Sequence, residues 1–295
     1  MSLSRREVLI ASGAAALLPA ARTDRTARFV DEVRRLEAGL GIGGRIGLRV
    51  LDTYTGWDAG WRADERFPTC STFKLPLAGA VLSRVDHGRE QLTRRVAIPR
   101  TGLPPNSPVT SAHAGSTLSV SDLCAAAMTR SDNGAANLLL DTLGGPAGLT
   151  NFLRASGDAV TRLDRIEPVL NEATPGDPRD TTTPSAMLAT LDRLTAGPLL
   201  APPSRARIVG WLRANTTGDE RLRKGLPPGW TVGDKTGAGG HNSNNDVALI
   251  WPPGRAPGRP ARVAVYTTGG PGDDALARNP VLAAIGRALA ELLST

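Results

Sequence analysis

The stretch FPTCSTFKLPLAGAVL, residues 67 to 82, places a lysine at the head of an apolar run, three positions after a serine. Residues three apart lie on the same face of a helix, so Ser71 and Lys74 are expected to touch. Pro76 fits only a first helical turn, which places the start of the helix near Ser71 or Thr72. A capping serine beside a lysine that reaches solvent would explain the same pattern. The rest of the chain must decide between these two interpretations.

The order of patterns along the chain predicts two lobes. Residues 26 to 40 repeat apolar side chains at helical spacing, and residues 44 to 67 alternate around a Thr-Gly turn, as in a hairpin. The middle of the chain is helical, and three strand patterns and an amphipathic helix close it. We therefore predict an α+β fold: an antiparallel sheet lobe with flanking helices, built from residues 24–66 and 215–295, with an all-helical lobe, residues 67–214, inserted between them. The cleft between two lobes is a usual place for a site.

The composition excludes several classes of function. The formal charge is +7, but the arginines are scattered among acids and only 4% of residues are aromatic, which argues against nucleic-acid binding and favours small anionic substrates. No apolar run approaches the ~18 residues of a membrane span. The three histidines are dispersed without the spacing of a zinc site. We predict a monomer that acts on a small molecule, with no metal, cofactor, nucleic acid or membrane.

The first 22 residues have the pattern of an export signal rather than of a folded element. Arg5 and Arg6 precede a weakly apolar stretch from Val8 to Ala21, which small residues follow. The arginine pair favours the twin-arginine route, with cleavage near Ala20 to Arg22. The sequence therefore predicts a periplasmic or secreted protein.

Two further motifs lie downstream of the first. RSDNGAANLLL places Ser131 and Asn133 at a helix start, where such residues normally serve as caps. VGDKTGAGG is a strand in which Lys235 and Thr236 are followed by glycines that let a ligand lie against the backbone. These glycines are Gly237, Gly239 and Gly240. Taken alone, the first motif could be a cap and the second a hairpin rim.

All three motifs together carry more information than each alone. S-x-x-K, S-D-N and K-T-G, in this order, are the set found in class A β-lactamases and penicillin-binding proteins. From about residue 26 to its C-terminus the chain resembles a class A serine β-lactamase. The resemblance implies a β-lactamase/transpeptidase-like fold. It also implies hydrolysis of the β-lactam amide bond of penicillins and cephalosporins through a serine acyl-enzyme, which confers antibiotic resistance.

A fourth stretch, residues 162–180, is a long segment with little regular pattern and with opposite charges near its two ends. An Arg165–Asp180 ion pair would hold it closed, although a solvated surface loop would show similar charges. The segment is similar to the omega loop of class A enzymes. Its matching positions are Glu167, Pro168 and Asn171. The resemblance implies a cis peptide bond at the glutamate–proline step.

The resemblance gives the motifs chemical roles. Ser71 attacks the lactam carbonyl, and its proton goes to Lys74, or through a water to Glu167. The lysine can accept it only if partial burial and crowding by the K-T-G lysine lower its pKa. Glu167 is the base of deacylation, and Asn171 holds the water. The backbone N–H groups of Ser71 and Ala238 form the oxyanion hole.

Other residues would handle the leaving group and the substrate side chain. The resemblance implies that Ser131, activated by Lys235, relays a proton to the lactam nitrogen. Asn133 would bind the side-chain amide of the substrate. Asn137 would hydrogen-bond Glu167.

The substrate carboxylate requires cations and hydroxyl groups. Lys235 and Thr236 supply two of them, and Gly237 lets the ligand approach. Many class A enzymes add an arginine from the next strand, but Asn244 stands at that position here. We predict that Arg221 replaces it, with Arg223 as the alternative.

The sequence departs from its relatives around the cleft. Each cysteine lacks its usual partner, because Gly239 stands opposite Cys70 and Ala78 stands at the position that would pair with Cys124. We expect two free thiols, with Cys70 packing behind the serine rather than reacting, and this weakens the case for carbapenemase activity. Asn106 replaces the aromatic residue that often flanks the cleft, where we expect it to contact the substrate.

Two other functions share the three motifs. A penicillin-binding transpeptidase or carboxypeptidase would acylate and stop, because it lacks a base that delivers water. A drug-sensing binding module would keep the pocket without turnover. Glu167 and Asn171 in the loop argue against the penicillin-binding enzyme. The sensor would usually be anchored to a membrane, and the sequence predicts no anchor.

Overall fold

A computed structural model describes residues 18–294 of the chain. Most of the predicted export signal, residues 1–17, lies outside the described residues. The first helix begins at Leu18, eight residues before the predicted start, so the last residues assigned to the signal continue into it. None of the helices in the described part is long and apolar enough to cross a membrane.

Within residues 18–294, nine strands and ten α-helices follow one another in an order that separates the sheet from most of the helices. The strands are β1 (Arg45–Asp52), β2 (Trp57–Trp61), β3 (Phe67–Pro68), β4 (Arg95–Ala97), β5 (Thr117–Ser119), β6 (Thr181–Thr182), β7 (Thr231–Gly239), β8 (Ser243–Trp251) and β9 (Ala261–Thr268). The helices are α1 (Leu18–Ala38), α2 (Lys74–Asp86), α3 (Pro108–Ala112), α4 (Val120–Thr129), α5 (Asn133–Leu143), α6 (Gly145–Ala155), α7 (Pro184–Thr195), α8 (Pro202–Arg213), α9 (Leu222–Gly225) and α10 (Asn279–Leu293).

The sheet lobe is built from both ends of the chain, as predicted. Its five strands are antiparallel in the order β2-β1-β9-β8-β7, so the hairpin from the start of the chain joins the strands from its end. Asp52 pairs with Ala261 at one end of the β1–β9 ladder, and Arg45 pairs with Thr268 at the other. Apolar side chains of α1 and α10 pack on one face of this sheet. The α+β architecture predicted from the sequence is confirmed.

The inserted lobe is mainly helical but contains two short ladders. β3 pairs with β6 and β4 pairs with β5, each over two or three residues. The predicted lobe was purely helical, because runs this short have no readable alternation. The β3–β6 ladder has a functional consequence, since it joins the chain just before Ser71 to the end of the omega loop.

Three apolar clusters form the core of the described part of the chain, and one of them joins the two lobes. One fills the helical lobe around α2, α4 and α5, and a second lies between the sheet and the terminal helices. The third joins α2, α7 and α8 to β8 and β9. Because α2 contributes to the first and third clusters, the helix that begins beside Ser71 is fixed to both lobes.

Candidate active site

The S-x-x-K motif forms the turn that enters α2. Cys70 to Phe73 form a 3-10 helix, α2 starts at Lys74, and Pro76 falls within its first turn, as predicted. Lys74 Nζ lies 2.9 Å from Ser71 Oγ. The lysine side chain is fully buried, so it does not reach solvent, and the alternative interpretation of the motif is wrong.

Lys74 is the centre of the polar contacts in the cleft. Its Nζ donates hydrogen bonds to the Ser131 carbonyl at 2.8 Å and to Asn133 Oδ1 at 2.6 Å, and it lies 3.0 Å from Glu167 Oε1. Burial lowers the pKa of Lys74, while the nearby Glu167 opposes that shift. The expected lowering of the pKa is therefore present, but complete burial rather than crowding by a second lysine is its main cause.

The S-D-N motif bridges the two lobes. Asp132, not Ser131 or Asn133, caps α5, and its carboxylate accepts a hydrogen bond from the backbone N–H of Ala135 at 2.8 Å. The two flanking side chains are thereby free to face the cleft. Ser131 adopts a φ of 54°, and its Oγ lies 3.1 Å from Lys235 Nζ.

The omega loop brings Glu167 against the nucleophile. Ser71 Oγ lies 3.3 Å from Glu167 Oε1, and Asn171 Nδ2 donates to Oε2 of the same carboxylate at 2.5 Å. Asn137 holds the backbone of Glu167 by two hydrogen bonds, at 3.0 Å to its N–H and 2.9 Å to its carbonyl, rather than the carboxylate. The peptide bond between Glu167 and Pro168 is cis, as the resemblance implied.

The ends of the omega loop are joined by the predicted Arg165–Asp180 ion pair. Arg165 Nε donates to Asp180 Oδ2 at 2.5 Å, and Asp180 Oδ1 accepts the backbone N–H groups of Asp164 and Arg165 at 2.7 and 3.0 Å. The carbonyl of Asp180 in turn accepts the N–H of Thr69, two residues before the nucleophile, at 2.8 Å. The ion pair therefore connects the shape of the loop to the turn that carries Ser71.

We expect the Arg165→Ala variant to lose about 1–3 kcal/mol of stability, because it leaves the buried Asp180 carboxylate without its cation. A loosened loop displaces Glu167, so kcat should fall more than kcat/KM. Urea unfolding and steady-state kinetics measure both effects. The matched control is Arg179→Ala, which removes a half-exposed partner of Asp177 and should change neither. Equal behaviour of the two variants would contradict the prediction.

The K-T-G strand β7 lies directly against the nucleophile's turn. A side chain at Gly237 would place its Cβ 3.1 Å from the Ser71 nitrogen and 2.9 Å from the Thr69 carbonyl oxygen, so only glycine permits this approach. Ala238 follows in the strand, opposite Asn244 of β8. Lys235 is fully buried, and burial followed by the charge of Lys74 lowers its pKa well below the usual range.

Arg221 packs on the backbone of the same strand. Its guanidinium donates hydrogen bonds to the carbonyl of Gly237 at 3.0 Å and to that of Asn245 at 2.7 Å, and burial lowers its pKa. The alternative, Arg223, pairs instead with the buried Asp234. Asn244 turns away toward Ala275 and Asn279, as two hydrogen bonds of its side-chain amide show.

Asn106 lies at the edge of the cleft, where its side-chain amide contacts the protein. Nδ2 donates to the Ser131 carbonyl at 3.2 Å, and the Asn106 carbonyl accepts the N–H of Asn133 at 3.0 Å. Its φ of 57° is one that asparagine tolerates better than most residues. A substrate contact by Asn106 stays a prediction.

Both cysteines are free and buried, as expected. Burial raises the pKa of Cys70 to about 12, which makes the thiol unreactive at neutral pH. A Cβ added at Gly239 would lie 2.7 Å from Cys70 Sγ, so this glycine does stand opposite the thiol. In the part of the chain that the structure describes, no group of acidic, histidine and cysteine side chains could hold a metal ion.

Sequence reasoning missed a set of polar residues behind β7. Asp234 and Asp246 are fully buried, and each has one carboxylate oxygen without a hydrogen-bond partner among the described residues. Asn215 and Thr217 connect Asp234 to Thr236 by hydrogen bonds. The only signal in the sequence was an acidic residue within each of two strand patterns, and a solvent-facing side chain would explain it equally well.

Asp246 predicts a pH dependence of stability. Burial, and then the charge of Asp234, raise the pKa of Asp246 well above 3.8. The folded state therefore holds a proton that the unfolded state releases, so stability falls as pH rises above about 4, by about 1.4 kcal/mol per pH unit until the folded pKa is reached. The Asp246→Asn variant should lack this fall, so its free energy of unfolding should increase relative to that of the wild type as pH rises. Urea unfolding at pH 4, 6 and 8 tests this, and a constant difference would contradict it.

The geometry defines a class of enzyme. A serine that accepts a hydrogen bond from a buried lysine, beside a second serine in contact with another lysine, is the arrangement of the serine acyl-transfer enzymes that react with β-lactams. The glutamate in contact with the nucleophile distinguishes those that hydrolyse the acyl-enzyme.

Comparisons with known proteins lead to the same class of enzyme as the geometry of the site. Residues 28–293 match the model of the β-lactamase enzyme family. The chain is 47% identical over 244 residues to β-lactamase L2 of Stenotrophomonas maltophilia, covering 83% of this chain and 80% of that protein. It is 45% identical over 275 residues to the carbapenem-hydrolysing β-lactamase KPC of Klebsiella oxytoca, covering 93% and 92%. An ancestral class A β-lactamase structure, representing Gram-negative bacteria, superimposes with a TM-score of 0.85 at 57% identity, covering 90% of this chain and 99% of that one.

The chain therefore belongs to the β-lactamase enzyme family. It is a class A serine β-lactamase, an enzyme that hydrolyses β-lactams and thereby confers antibiotic resistance.

Proposed function

We propose that Ser71 attacks the lactam carbonyl and that the ring opens onto it as an ester. Ser71 Oγ lies within hydrogen-bond distance of both Lys74 Nζ and Glu167 Oε1, so its proton can leave to either group. As the Oγ–carbon bond forms, the carbonyl oxygen becomes an oxyanion. The backbone N–H groups of Ser71 and Ala238 stabilise that charge, a contribution that is typically worth ~100-fold or more in rate.

Ser131 supplies the proton that the leaving nitrogen needs. Its Oγ lies 3.1 Å from Lys235 Nζ and 3.4 Å from Lys74 Nζ. When the carbon–nitrogen bond breaks, Ser131 donates its proton to the nitrogen and recovers one from a neighbouring lysine. Both lysines are buried with lowered pKa values, which favours release of that proton.

Glu167 completes the cycle by activating water. Asn171 Oδ1 is buried without a hydrogen-bond partner among the described residues, which suits it to accept a hydrogen bond from the attacking water. The Glu167 carboxylate takes the other proton as the hydroxyl adds to the ester carbon. Collapse of this intermediate breaks the ester bond, and the proton held by Glu167 passes to the departing Ser71 oxygen, 3.3 Å away in the free enzyme, which restores both groups.

The substrate is held at its two ends. The position assigned to the carboxylate is surrounded by Lys235, Thr236 and Arg221. Gly237 lets the ring approach the backbone of the strand. Asn133 and Asn106 lie on the opposite side, toward the substrate side chain. Penicillins and cephalosporins carry both the anionic carboxylate and the side-chain amide that these groups suit.

The contact between Glu167 and Ser71 carries the proposal, and turnover tests it. The purified protein is mixed with a large excess of a chromogenic cephalosporin, and absorbance is followed with time. Product far beyond one equivalent per protein is expected. A single burst equal to the protein concentration would identify a penicillin-binding protein or a sensor and would overturn the role of Glu167.

We further infer that the enzyme works outside the cytoplasm as a monomer, with its lobes divided at residues 66–67 and 214–215. The Arg5–Arg6 pair before an apolar stretch supports export by the twin-arginine route. Replacing both arginines by lysine should retain the protein in the cytoplasm, which fractionation measures. Unchanged export would favour another route.

A further inference from the structure

Thr217, a residue outside the three motifs, touches the substrate-binding strand. It lies in the segment between α8 and α9, and its Oγ1 is 2.5 Å from Thr236 Oγ1. Thr236 is buried and belongs to K-T-G. At this distance one hydroxyl group donates a hydrogen bond to the other. The direction of that bond decides whether the Thr236 proton is available to a ligand.

The neighbouring asparagine fixes the direction. Asn215 Oδ1 accepts the backbone N–H of Thr217 at 3.2 Å, and Asn215 Nδ2 donates to Asp234 Oδ1 at 3.1 Å. Nδ2 must face the carboxylate, which accepts, and Oδ1 must face the N–H, which donates. The side-chain amide of Asn215 therefore has only one orientation. The same Oδ1 lies 2.9 Å from Thr217 Oγ1, and since an amide oxygen only accepts, the Thr217 hydroxyl must donate to it.

The proton of Thr236 is thereby assigned in the free enzyme. The single proton of Thr217 is used on Asn215, so the Thr217 oxygen can only accept from Thr236. The Thr236 hydroxyl then offers lone pairs, not a proton, to an approaching anion. A carboxylate requires a donor at that place.

We propose that Thr217 is a positioning residue for the substrate carboxylate, which reverses a two-hydroxyl chain when the anion binds. Thr236 turns its proton to the carboxylate, and Thr217 turns its own proton from Asn215 to Thr236. Only the two hydroxyl protons rotate, so no heavy atom has to move. Asn215 Oδ1 stays hydrogen-bonded, because it keeps the N–H of Thr217. The chain Thr217–Thr236–carboxylate strengthens the final, charge-assisted hydrogen bond. This inference rests on the carboxylate subsite of the proposed function.

The test compares two variants on two substrates. Thr217→Val removes the hydroxyl at nearly constant volume, and kcat/KM for a cephalosporin with a free carboxylate should fall about three- to tenfold, as for one lost hydrogen bond. Thr217→Ser should restore it. The methyl ester of the same cephalosporin has no anion to bind, so its kcat/KM should change less than about twofold in either variant.

A double-mutant cycle shows whether Thr217 acts through Thr236. In a Thr236→Val background, Thr217→Val should cause no further loss. Additive losses, an equal loss for acid and ester, or failure of the serine variant to restore activity would each overturn the inference. Turnover by the unmodified enzyme is measured in the same assay, so a failed inference is distinguishable from a failed function.

Discussion

The Glu167→Ala protein is expected to consume one β-lactam per molecule and then stop. Glu167 raises the pKa of Lys74 by its charge, so its removal leaves a lysine that is more readily neutral and able to accept the Ser71 proton. Acylation therefore continues, while deacylation loses the carboxylate that activates water. We expect kcat to fall by a factor of about 100 to 10,000, the range for a general base.

Intact-protein mass spectrometry measures this directly. After mixing with a penicillin, the variant should gain the mass of one intact substrate molecule and keep it for many wild-type turnover times. The control is Glu172→Ala, a half-exposed glutamate of the same loop, which should still turn over. Continued rapid turnover by the Glu167 variant, or a complete failure to acylate, would contradict the assignment.

The Ser71→Ala protein should lose hydrolysis altogether, by about 1,000-fold or more, since no other group can form the ester. Binding should survive, because Lys235, Thr236 and Arg221 remain. The variant should therefore be stabilised against heat by the substrate but show no gain of mass. Ser121→Ala, a partly exposed serine of α4, is the control and should behave as the wild type. A covalent adduct on the Ser71 variant would place the nucleophile elsewhere.

Much of the site was readable from the sequence because its chemistry is concentrated in short motifs. Ser71 and Lys74 are three residues apart on one turn, and helical geometry alone predicts their contact. The Arg165–Asp180 pair was readable from opposite charges at the two ends of one loop. In each case few conformations satisfy the spacing.

Contacts between distant segments were not readable in this way. Nothing in the sequence near Asn137 indicates that it holds the backbone of Glu167 rather than the carboxylate. Thr217 and Asp246 meet their partners only after β7, β8 and the segment before α9 have packed. Burial decides how both residues act. On a surface the Thr217 hydroxyl would bond to water, and the pKa of Asp246 would stay near its usual value.

The pairing of β1 with β9 has a consequence for synthesis on the ribosome. The hairpin β1–β2 is made early, but the strand that covers its inner edge emerges only near the end of the chain. Until then the edge is an unpaired template, exposed to other nascent chains. The helical lobe can form its local contacts during this interval, whereas the sheet closes last. Slow translation or heating before release should therefore aggregate this enzyme through its N-terminal hairpin, while the finished protein is protected.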